Sequence, residues 1–114
     1  MQPADKRKNE RVETVLAIQI DRDGVIVEGT TVNASLGGVL VQARLDPAPR
    51  IGERLNIALT LPTLNEPVRA QAEVRWLGRT GSEFGLQFAT GLRARETWAL
   101  GQWLERARKG QKLA

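Results

Sequence analysis

Apolar and polar positions alternate with a period of two through most of this chain, and the period changes only towards its C-terminal end. From Val12 to Asp21, Leu16, Ile18 and Ile20 fall on one side and Ala17 and Gln19 on the other, which predicts a strand. Asp23-Gly24 follows, a two-residue hairpin signal, because glycine accepts the positive φ of a type I′ turn. Val25 to Asn33 is the predicted return strand. Ser35, Gly37 and Gly38 interrupt the pattern before a third short strand at Val39-Leu40-Val41, and Pro47, Pro49 and Gly52 mark a loop. The clearest alternation comes next: Leu55, Ile57, Leu59 and Leu61 point one way, and Asn56, Ala58 and Thr60 the other. Pro62 ends that strand. After a turn at 65–67, Val68, Ala70, Ala72, Val74 and Trp76 share one face and Arg69, Gln71, Glu73 and Arg75 the other. Small alanines on the inward face suit the interior of a tightly curved barrel. Gly78 to Gly81 turns the chain into a last strand, Phe84 to Phe88.

From about Leu92 the spacing becomes helical. Leu100, Trp103, Leu104 and Ala107 form an apolar stripe, Glu96 near the start and Arg106 and Arg108 near the end suit the helix dipole, and Gly110 is the expected stop. About six short strands followed by one amphipathic helix predict an all-β domain, a small antiparallel barrel plugged or flanked by that helix. No internal repeat or low-complexity tract occurs. The expected organisation is a flexible basic arm over 1–11, one barrel domain with its helix over 12–109, and a tail over 110–114.

Composition narrows the function classes. The chain has 114 residues, 41% hydrophobic and 26% charged, enough for one domain with a core. No apolar run approaches a membrane span, and the first eleven residues contain no apolar leader segment, so a cytoplasmic protein is expected. Cysteine and histidine are both absent, which removes disulfides, thiolate chemistry, thiolate or imidazole zinc sites and Ser-His or Cys-His catalytic couples. A binding module is expected rather than an enzyme, with no cofactor and no metal. The net charge of +4 is uneven. Residues 1–11 hold four cations against two acids, and 89–114 hold six against two, whereas 12–88 has seven arginines against nine acids. All four lysines lie in the two ends. Basic ends on a slightly acidic body favour a local anion site over a broad DNA- or RNA-binding face.

Two short patterns could carry such a site. Arg7 and Arg11, four residues apart in the arm, can approach one anion from two sides, and a guanidinium offers phosphate a planar pair of donors. Asn33-Ala34-Ser35-Leu36-Gly37-Gly38 supplies an amide, a hydroxyl and a backbone left bare by two glycines. Taken singly, the first reads as a solvated tail and the second as an ordinary loop. Other signals fail. Asp21-Arg22-Asp23-Gly24 opens like a calcium loop, but that loop's sixth position would be Ile26 and its twelfth Val32, so it is a hairpin turn. Glu66, Glu73 and Glu83 have no spacing that pairs them for acid–base work.

In sequence order the two patterns, Arg7…Arg11 and then Asn33-x-Ser35-x-x-Gly38, joined by a hairpin, resemble the two-part signature of PilZ domains. Ala72-Glu73-Val74-Arg75-Trp76, a short loop and Phe84-Gly85-Leu86-Gln87-Phe88 look like that family's closing strand pair, and the terminal helix stands where the family carries one. The resemblance covers residues 6–107. It implies a six-stranded antiparallel barrel that binds the bacterial second messenger cyclic di-GMP. Arg7 and Arg11 would grip phosphate and guanine edges, Asn33 and Ser35 would bond the base or a phosphate, and Gly37 and Gly38 would leave room for it. Lys6 stands in the slot that in the family influences whether one ligand or an intercalated pair is bound. Trp76 matches an aromatic position that stacks on guanine in some members, while its parity with Val74 and Ala72 equally suits core packing. Ligand would order the arm against the barrel and signal to a separate protein, or through ligand-dependent homodimerisation. The alternative is a PilZ-fold adaptor with weak or no nucleotide binding, for which Trp98, off the helical stripe, is the interface candidate. An oligonucleotide-binding barrel fits less well, because the first four strands carry no aromatic residue for base stacking.

Overall fold

The strands fall where the alternation places them, in a computed structural model that describes residues 11–62, 64, 66–89 and 94–113. Among these residues there are seven strands and one helix: β1 Val12–Glu13, β2 Ala17–Arg22, β3 Val25–Ala34, β4 Gly38–Gln42, β5 Arg54–Thr60, β6 Val68–Leu77, β7 Glu83–Phe88 and α1 Ala94–Leu113. Every pairing is antiparallel, in the order β1-β3-β2-β5-β6-β7-β4, and β4 pairs back onto β3. The result is a closed six-stranded barrel, β2 to β7, with β1 added at the far end of β3. Closure leaves no barrel edge unpaired. The Asp23-Gly24 turn is as predicted, with φ of 52° and 89°, and the Asp21 carboxylate accepts from the Gly24 N–H at 2.8 Å.

Three features depart from the simple alternation. The single first strand expected over Val12–Asp21 is two strands. Val12 pairs with Ala34 but Ala17 pairs with Thr30, so residues 14–16 hold one residue more than the opposing chain. Thr31 fills the break: its buried hydroxyl donates to the Thr14 carbonyl at 2.6 Å and accepts from the Leu16 N–H at 2.9 Å. The other two are bulges within the barrel. Thr31 pairs with Val41 but Asn33 with Leu40, leaving Val32 as the extra residue in β3. Val74 pairs with Leu86 but Trp76 with Gly85, leaving Arg75 extra in β6. Gly110 also does not stop the helix, which runs on to Leu113. A helical glycine costs about 1 kcal/mol relative to alanine, too little to end a helix by itself.

The barrel interior is built from the predicted inward rows, including Ile18, Ile20, Val39, Val41, Leu55, Ile57, Leu59, Val68, Ala72, Val74, Phe84 and Leu86, all buried. The helix packs against β1 with Ala99, Leu100 and Leu104 buried, and the Trp103 indole N–H donates to Thr14 Oγ1 at 2.9 Å. Trp98 lies off the stripe and is 68% exposed.

The loop between β4 and β5 is pinned by a bidentate ion pair. Arg22 Nε and Nη2 donate to Glu53 Oε2 at 2.7 Å and Oε1 at 2.9 Å, and the same guanidinium donates to the Pro47 carbonyl. The hydrogen bond from Arg22, aided by the Arg50 N–H, holds the Glu53 carboxyl below the usual glutamate range despite partial burial. A carboxyl lowered in the fold stabilises it fully above its unfolded pKa and loses that contribution as pH falls through the folded value. Glu53→Gln should therefore lower stability at neutral pH by about 1–2 kcal/mol. It should also flatten the acid side of the melting profile; parallel acid profiles for the two proteins would show that the pair contributes nothing.

Candidate functional site

The patterns that the sequence holds apart meet at one groove of about 320 Å³, lined by Arg11, Ser35, Gly37, Gly38, Arg75, Trp76, Gly85, Leu86 and Gln87. It runs across β4, β7 and β6 beside the turn that joins β3 to β4. Of the expected site residues, Arg11, Ser35, Gly37, Gly38 and Trp76 stand together here. Asn33 is one step behind the lining. Lys6 and Arg7 lie outside the described residues.

Asn33 owes its position to the β3 bulge. Thr31 and Ala34 point into the barrel, opposite inward Val41 and Val39, while Asn33 pairs with the outward Leu40. Without Val32 as an extra residue, Asn33 would share the inward row of Thr31. Turned outward, its side-chain oxygen accepts from Arg11 Nη1 at 3.0 Å. Pairing of β1 with the end of β3 sets Arg11 within that reach. The asparagine thus anchors the groove's first cation.

The turn is internally satisfied. Ser35 is buried, and its hydroxyl accepts from the N–H groups of Gly37 at 3.1 Å and Gly38 at 3.2 Å. The Ser35 N–H donates to the Gly38 carbonyl at 2.8 Å. Serine therefore shapes the loop by occupying the very N–H groups that two glycines would otherwise present. Gly38 is required by strand packing. A Cβ there would lie 2.1 Å from the Leu86 carbonyl oxygen and 3.1 Å from the Gln87 Cα.

The β6 bulge decides the orientation of Trp76. Val74 and its partner Leu86 are inward, and the extra residue Arg75 turns Trp76 to the outer face opposite Gly85. The indole is 47% exposed and lines the groove, so the core-packing option left open by parity does not hold. Gly85 carries no side chain to cover it. The same bulge sets Arg75 and Trp76 as consecutive groove residues, and Arg75 donates to Glu73 Oε2 at 2.9 Å. Arg75 and Gln87 are groove residues that the motif pattern does not mark. Arg75 adjoins the predicted aromatic, but alternation assigns it to the opposite face.

On this closed barrel the groove thus brings two arginines and an open indole together. The sequence matches the PilZ domain family over residues 5–106, and the chain belongs to that family. PilZ domains are receptor and adaptor domains, generally for cyclic di-GMP. Among solved structures, the Bacillus subtilis inhibitor of motility (MotI/DgrA) superposes with a TM-score of 0.73 at 23% identity, covering 88% of this chain and 50% of that one. The chain thus spans half the length of that protein. The PilZ domain of CeSA from a cellulose-synthesizing bacterium superposes with a TM-score of 0.65 at 14% identity, covering 84% of this chain and 95% of that one. These likenesses are of fold. No curated protein matches the sequence.

The geometry at Gly38 separates a structural from a ligand-contact role. Gly38→Ala should destabilise the unliganded protein by about 1–3 kcal/mol, the usual cost of overpacking. An unchanged melting temperature would mean that β4 and β7 can part without penalty.

Proposed function

We propose that this protein is a cyclic di-GMP receptor, with the groove between the Ser35–Gly38 turn and the outer faces of β6 and β7 as its binding site. The observation that carries this reading is the convergence of Arg11, Trp76 and the motif turn on one groove, although they are far apart in sequence. Arg11 presents a guanidinium to phosphate or to the acceptor edge of guanine. The open indole of Trp76 offers a face for the base. A groove of about 320 Å³ is at the small end for ligand sites and fits one guanine with its phosphate, the rest of the ring lying across the rim. Arg7 and Lys6 belong to this reading through the family signature. Ser35 acts chiefly by holding the turn.

The energetics suit a signalling receptor. Each charge-assisted bond contributes about 1.5–3 kcal/mol and a base stack about 1–3 kcal/mol. Several such bonds together with the stack are needed to offset the cost of association and reach micromolar binding, about −8 kcal/mol. Occupancy is relayed by drawing the arm over the groove, with Arg11 on Asn33 as its fixed end, and the changed surface engages a partner protein or a second copy in the bacterial cytoplasm. A second reading, an adaptor with little nucleotide affinity, is favoured by exposed Trp98 on α1.

Calorimetric titration of cyclic di-GMP into the wild type, Arg11→Ala and Trp76→Ala separates the two. The receptor reading expects micromolar wild-type binding and at least about tenfold losses in both variants. It also expects nearly unchanged melting of the unliganded Trp76→Ala protein, since the indole is half exposed. Absence of binding to the wild type would leave the adaptor reading standing.

A further inference from the structure

Arg75 and Glu73 form a charge cluster at the groove that neither motif accounts for. Glu73 is shared by two arginines: Arg75 Nη1 lies 2.9 Å from Oε2, and Arg54 Nε lies 3.8 Å from Oε1. The carboxylate side chain is only 25% exposed, whereas those of Arg75 and Arg54 are 60% and 62% exposed. One carboxylate balances one of the two cations, so the cluster carries a net positive charge. Arg75 is the member that lines the groove. Its hydrogen bond to Glu73 uses one of the five donors of a guanidinium.

The strand order places this cation opposite the first one. Arg11 is held by Asn33 on β3, and Arg75 stands on β6, with β4 and β7 between them. Two guanidiniums at the two ends of one groove match a ligand with two separated phosphodiesters better than a ligand with one. Building on the cyclic di-GMP reading, we infer that Arg75 is a ligand-phosphate contact held in reserve by Glu73. When the groove fills, the guanidinium exchanges the carboxylate for a phosphodiester oxygen beside the stacked base, and Glu73 retains Arg54 as its counter-charge. Exposed ion pairs have small net stability, so the exchange costs little. A phosphate offers the planar fork two acceptors in a site from which the base and Trp76 exclude water. Glu73 thereby sets the affinity without touching ligand.

Calorimetry with cyclic di-GMP on the full chain, across a series of salt concentrations, tests this. Arg75→Ala should weaken binding about tenfold or more and make the fall of affinity with salt shallower. Its unliganded melting temperature should match the wild type, because the side chain is exposed. Glu73→Gln should tighten binding by roughly two- to fivefold through loss of the competing carboxylate. Arg69→Ala removes one exposed charge from β6 outside the groove and should bind as the wild type does. If Arg75→Ala matches Arg69→Ala while the wild type binds, the inference about Arg75 is overturned and the receptor reading stands. Weaker binding by Glu73→Gln would overturn the reserve role. A wild type that does not bind removes both readings.

Discussion

Closure of the barrel is the constraint from which the site follows. Six strands must return upon themselves, β4 onto β3, with an inward row that is apolar apart from Thr31. Two strands meet that demand with one extra residue each, Val32 in β3 and Arg75 in β6. An added residue breaks the period of two, so the side chain that follows it changes face. At Asn33 and Trp76 the change carries a polar group and an aromatic ring out of the inward row and towards the groove. The strand irregularities and the arrangement of the groove thus come from the same two insertions.

The electrostatics follow the same layout. Inside the barrel there is no ionisable side chain among the described residues; the charges lie on the outer faces and in the loops. Arg22 and Glu53 use each other to fasten a long loop, and the geometry is bidentate. At the groove, among the described residues, two arginines share one glutamate and Arg11 is held by a neutral amide. Cations paired this loosely remain available to an anion, whereas a fully matched network would not. The two clusters thus differ in how completely their cations are matched.

Much of this was legible in the residues. The Leu55–Leu61 alternation, the Asp23-Gly24 turn and the Leu100, Trp103, Leu104 stripe each depend on local geometry and short-range spacing, and each appears as predicted. The family signature brought Arg11, Ser35, Gly37, Gly38 and Trp76 forward as one group, which no single motif justified. The break at 14–16, the helical passage through Gly110 and the place of Arg75 in the groove were not legible. Each depends on what lies across from the residue: Thr31 opposite the break, the remaining helical turns around a glycine, and a β7 strand one residue out of step with β6.

The linear order of residues by itself determined an antiparallel all-β domain with a C-terminal amphipathic helix, because periods of two and of 3.6 are properties of the chain alone. It also excluded thiolate and imidazole chemistry, since neither cysteine nor histidine is present. Which face Trp76 and Asn33 would take was decided only by strand pairing. Register is a relation between two strands, and a single bulge reverses what parity along one strand implies.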